Sequence, residues 1–84
     1  MSTQKFNVEI VYTNEFHPTT EMSVVEHASF FNVNEAIHFV ANASETIRTA
    51  GRQANVSIWK FTFNEAKNVY SAPSSQPPVL TLTV

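Results

Sequence analysis

One stretch of this chain, residues 32–52, carries the period of an α-helix, and its surroundings alternate or break instead. Val33, Ala36, Ile37, Val40, Ala43, Ile47 and Ala50 recur at steps of three and four, while His38, Asn42, Glu45 and Thr49 form the opposite polar stripe. Phe39 and Ala41 flank the apolar face. Asn32-Val33-Asn34-Glu35 has the spacing of a capping box, in which the Asn32 side chain accepts from a free backbone amide and Glu35 folds back three residues later. Gly51, the only glycine in the chain, falls where a left-handed residue ends a helix, and Arg48 and Arg52 stand at the negative end of its dipole. One helix with a defined start, face and stop is therefore expected, and it needs an apolar surface to lie on.

The flanking segments supply strands. Phe6, Val8, Ile10 and Tyr12 alternate with polar Asn7 and Glu9, the period of a half-buried strand. Residues 14–19, with Asn14, Pro18 and two threonines, read as a loop that closes a hairpin into a second strand over residues 20–27. There Met22 and Val24 share a face, Val25 breaks the alternation, and the continued register points Glu26 inward, a conflict that a bulge near Val24 and Val25 would repair. After the helix, residues 55–63 are dense in β-branched and aromatic side chains, residues 64–68 suit a hairpin turn, and a short strand is expected around Val69, Tyr70 and Ser71. Prolines then interrupt pairing until Leu80, Leu82 and Val84 alternate with threonines in a last strand.

The expected fold is thus α+β in the order β-β-α-β-(β)-β: an antiparallel sheet of four to five strands with one amphipathic helix packed on one face. At 84 residues the chain is one domain, because a chain of this size buries only roughly 60% of its unfolded surface and cannot divide it between two cores. Cysteine is absent, which removes disulfides, thiolate metal sites and thiol catalysis. Residues 1–5 are polar and no run of eighteen apolar residues occurs, so a cytoplasmic protein without a membrane span is expected.

Charge narrows the partners. Five Lys and Arg face seven acids, all Glu, for a formal charge of −2, a balance that disfavours the phosphate backbone of nucleic acids. Lys60-Phe61-Thr62-Phe63 resembles the stacking strand of RNA-recognition domains, but the glycine and small-residue positions of that motif are missing. His17, His27 and His38 lack the i, i+4 spacing that brings two imidazoles to one metal. Cys and Asp are both absent, Glu21 and Glu26 are spaced to fall on opposite faces of a regular strand rather than in one cleft, and one glycine leaves no phosphate-cradling loop. No cofactor, metal or catalytic set is expected.

What remains is an excess of apolar surface. Trp59, Phe61 and Phe63 lie on one side of their strand and Val56 and Ile58 on the other, more than a single helix can cover. Either the residues 71–78 segment covers the second side, or a partner does. The favoured expectation is a non-catalytic protein-binding module that acts by occupying a surface, as a homodimer through the sheet. Trp59 and Phe61 would anchor it, or Val56 and Ile58 if the strand faces the other way. Such a module suits an inhibitor or adaptor carried by a bacteriophage or other mobile element. Arg48 and Arg52, one helical turn apart, could together grip a partner carboxylate or phosphate. Residues 74–78 could dock in an aromatic groove, although a plain connector suits them better. The alternative is a small-ligand binding or sensing domain with an aromatic-lined pocket between helix and sheet or across a dimer seam.

Overall fold

The computed structural model describes residues 3–73 and 75–84. Its elements are β1 (Gln4–Phe16), β2 (Ser23–Phe30), α1 (Val33–Thr49), β3 (Ala54–Asn64), β4 (Val69–Ser71) and β5 (Leu80–Thr83). All pairings are antiparallel. The order is β2-β1-β3-β4, and β5 also pairs with β3. This is the expected α+β sheet with one helix on it.

The strands β4 and β5 share one edge of β3. Thr62 to Asn64 face Ser71 to Val69, and Asn55 to Ile58 face Thr83 to Leu80. Between them a short length of this edge has no strand partner among the described residues, and Gln76 and Val79 of the proline-containing link reach β3 there. Prolines have no amide to donate, so the Gln76 side chain serves instead: its Nε2 donates to the Lys60 carbonyl at 3.0 Å. Val79 N–H donates to the Ile58 carbonyl at 2.8 Å. The link therefore completes the edge of β3 and is a connector with a pairing role; Ser74, the first residue of the expected recognition segment 74–78, lies outside the described residues.

The register decides which side chains meet the helix. Val8 stands opposite Ile58, Ile10 opposite Val56 and Tyr12 opposite Ala54, so these six share a face with Phe6. All are buried, and Val8, Val56, Ile58 and Ala54 are completely so. Burying a side chain of this kind contributes about 1.5–3 kcal/mol. Ala36, Val40 and Ile47 of α1 close the core from above.

The helix begins at its expected cap. Asn32 has extended backbone angles, and its Oδ1 accepts from Asn34 N–H at 2.8 Å and Glu35 N–H at 3.4 Å. It ends as a Schellman turn: Gly51 N–H donates to the Arg48 carbonyl and Arg52 N–H to the Ile47 carbonyl, both at 3.0 Å, with Gly51 at φ +73°. The buried stripe is rotated from the expected one. Ser44 lies in it, 6% exposed, while Ile37 is 42% exposed and Ala50 is also exposed. The buried positions of α1 are Ala36, Val40, Ser44 and Ile47, a stripe that leaves Ile37 on a flank.

Two boundaries differ from expectation at the first hairpin. β1 continues past Tyr12 because Thr13 N–H donates to the Gln53 carbonyl at 2.9 Å and Asn14 Nδ2 to Gln53 Oε1 at 2.7 Å. The turn then forms at residues 17–22, where His17 N–H donates to the Met22 carbonyl and Glu21 takes φ 57°. The irregularity expected on β2 lies on β1: β1 advances from Val11 to Phe16 while β2 advances only from Val25 to Ser23. At its other end β2 runs on to Phe30, because Ala28 opposite Val8 and Phe30 opposite Phe6 complete the covered face. The Phe30 ring packs on Phe39 at 5.3 Å.

Candidate functional site

Two surfaces carry chemistry, one on each side of the sheet. The first is the face that α1 does not cover. Because the β1–β3 register pairs Lys5 with Phe61 and Asn7 with Trp59, the odd-numbered residues of β3 and those of β1 up to Val11 point there. Trp59, Phe61 and Phe63 are all half-buried. They are joined by Tyr70, whose ring lies 5.1 Å from that of Phe63 and 6.2 Å from that of Phe31. Phe31 is 58% exposed. Lys5 lies across this cluster, its Nζ 5.1 Å from the Tyr70 ring centre and 6.0 Å from that of Phe61, within reach of the quadrupole attraction between a cation and an aromatic face. The other end of the face is polar. Ser29 Oγ donates to Asn7 Oδ1 at 2.7 Å, Thr83 Oγ1 to Asn55 Oδ1 at 3.1 Å, and His27 Nε2 lies 3.5 Å from Glu9 Oε2. The face thus grades from an aromatic cluster at one end to a hydrogen-bonded polar lattice at the other.

The second surface is a cleft of about 370 Å³ between α1 and the β1–β2 half of the sheet. Ile10, Tyr12 and Glu26 line its sheet side, and Phe39, Asn42, Ala43, Thr46, Ile47 and Ala50 its helix side, with Arg52 at one end. Glu26 stands opposite Ile10, so its carboxylate projects on the helix side of the sheet. Burial, and then the neighbouring Glu26 carboxylate, raise the Tyr12 phenol above its usual range. Arg52 stacks on the Tyr12 ring at 3.7 Å and reaches Glu15 through Nε and Nη2, at 2.6 and 2.8 Å. Those bonds hold the Glu15 carboxyl below the usual carboxylate range.

The candidate residues separate accordingly. Trp59 and Phe61 lie on the open face. Val56 and Ile58 are both 0% exposed under the helix and are removed as partner anchors, since the antiparallel register puts even-numbered β3 residues inside. Arg48 is exposed and pairs with Glu45 at 3.0 Å. Arg52 instead turns back to β1 after the left-handed Gly51, so the two arginines do not form a shared grip. Lys5, Phe31 and Tyr70 join the open face only through the register. Glu26 could be read from the sequence, because it shares even parity with Tyr12 and Ile10 on their hairpin.

Among the described residues, no three His or Glu side chains come together as a metal-holding group. No described helix is long and apolar enough to cross a membrane. No protein-family model, curated protein or solved structure matches the chain.

Proposed function

We propose that this chain is a non-catalytic protein-binding module whose helix-free sheet face is the docking surface, and that a second copy of the chain docks there. The observation that carries this reading is the half-open cluster of Trp59, Phe61, Phe63, Tyr70 and Phe31 on the face that lacks a helix. A face meant only for water needs no tryptophan and three phenylalanines, whereas aromatic residues dominate the energetics of protein interfaces.

Size and charge favour a second copy. Four strand lanes and the nine paired residues of β1 from Gln4 to Tyr12 give a face of roughly 600 Å² in projection, comparable with the roughly 800 Å² that each partner contributes to a standard interface. β1 puts one cation and one anion on the face, Lys5 and Glu9, so two identical faces meet without net repulsion. The aromatic cluster at one end then supplies the dry part of the contact and the polar lattice at the other end its wet part. A module of this kind acts by occupying a surface, as an inhibitor or adaptor does.

Sedimentation equilibrium at micromolar concentration tests the reading. Wild-type protein is expected as a dimer and the double variant Trp59→Ala, Phe61→Ala as a folded monomer. A wild type that sediments as a monomer throughout, or a double variant that dimerises as tightly as wild type, overturns it.

A further inference from the structure

We infer that the cleft between α1 and the β1–β2 half of the sheet is a binding site for a small hydrophobic amine. Its volume, about 370 Å³, is at the lower end of small-molecule sites, which are mostly apolar with a few convergent polar groups. Ile10, Ile47 and Ala43 form the apolar floor, and Phe39, held against Phe30 at 5.3 Å, forms a wall.

Charge selects the ligand. Arg52 is neutralised by its two hydrogen bonds to Glu15, and its flat face is occupied by Tyr12. Among the described residues no ion pair reaches Glu26; Arg52 attracts it only from beyond ion-pair distance. The uncompensated charge at the cleft is therefore the Glu26 carboxylate. A carboxylate has about four lone-pair positions, and Tyr12 can fill one of them, which leaves room for a donor from a ligand. An ammonium group placed there gains a charge-assisted hydrogen bond, and the Phe39 ring supplies an aromatic face within the same cleft. An anionic ligand would meet Glu26 and would have to displace Glu15 from Arg52. A neutral ligand would gain only the apolar floor.

The test uses three probes of one shape: 2-phenylethylamine, 2-phenylethanol and phenylacetate, titrated into the full chain at neutral pH with binding followed by NMR shifts. The amine is expected to bind saturably and about tenfold or more tightly than the other two, the discrimination that a hydrogen bond to a charged group supplies. Glu26→Gln, at an exposed position on an edge strand, and Phe39→Ala are each expected to weaken the amine about tenfold. Trp59→Ala, on the other side of the sheet, is expected to leave it unchanged, so the result stands apart from the dimer reading. Equal binding of the three probes, preference for phenylacetate, absence of saturable amine binding at millimolar concentration, or an unchanged affinity in folded Glu26→Gln each overturns the inference.

Discussion

On β3, Val56 and Ile58 are wholly covered, whereas their neighbours Trp59, Phe61 and Phe63, with larger apolar area, are only half so. The same eleven-residue strand serves both sides, so hydrophobicity alone does not decide what is buried. The gap between helix and sheet is close-packed, and from β3 it takes Ala54, Val56 and Ile58, in one core with Ala36, Val40 and Ile47 of α1. Rings are not excluded from it, since Phe6 and Tyr12 of β1 are buried there, 7% and 2% exposed; what separates the two sets on β3 is the register, which turns even-numbered residues under the helix. On the open side Trp59, Phe61 and Phe63 stay half-buried, which leaves apolar area for the proposed second copy.

The comparison is sharpest at Ile58. Ile58→Ala is expected to lower unfolding free energy by about 2–5 kcal/mol, read as a fall in the urea midpoint, without weakening association of the folded fraction. Trp59→Ala should do the reverse. It is expected to weaken the dimer by about 2 kcal/mol, roughly thirtyfold, and to cost the dissociated monomer about 1 kcal/mol or less in the same denaturation. If both substitutions changed stability equally and neither changed association, the two faces would not differ in role.

Ser44 tests the covered side from within. Its hydroxyl is buried with no hydrogen-bond partner among the described residues, a state that costs about 1–3 kcal/mol. Ser44→Ala removes the unpaired group and adds helix propensity, so it is expected to stabilise the protein by about 1 kcal/mol in thermal unfolding. A destabilised Ser44→Ala would mean that the hydroxyl has a partner.

The smallest effects are electrostatic. The Glu15 carboxyl is held down by hydrogen bonds from Arg52, against a weaker effect of burial. Its contribution is therefore fully present above the unfolded value, about pH 4.3, and is lost as pH falls through the lower folded value. Glu15→Gln is expected to flatten that acid limb of the stability profile. Tyr12 has the opposite sense: its folded value is raised, so its contribution is present below about pH 10 and is lost as pH rises further. Both limbs are checked by urea midpoints across pH.

Much of the fold was legible in the sequence because the signals were local. The Asn32 cap, the helical period and Gly51 together mark α1, and alternation marks β1 and β5. The hairpin turn lies at residues 17–22 rather than 14–19 because long-range bonds from Thr13 and Asn14 to Gln53 extend β1 where Asn14 alone reads as a turn. Ile37 lies outside the buried stripe and Ser44 inside it because helical period gives the width of a face but not its rotation about the helix axis. The open face was legible as an excess of apolar residues on β3, but not its composition: Lys5, Phe31 and Tyr70 join it only through the pairing of distant strands. Helical spacing groups Arg52 with Arg48, yet the left-handed Gly51 sends it across to Glu15.

Trp59 is the only tryptophan in the chain and lies on the face assigned to docking, so its accessibility to acrylamide, measured by fluorescence quenching as the protein is diluted from high micromolar to nanomolar concentration, tests that assignment most directly. The account requires quenching to rise on dilution as the second copy leaves and uncovers the indole. A quenching constant that stays the same across the whole range would contradict it.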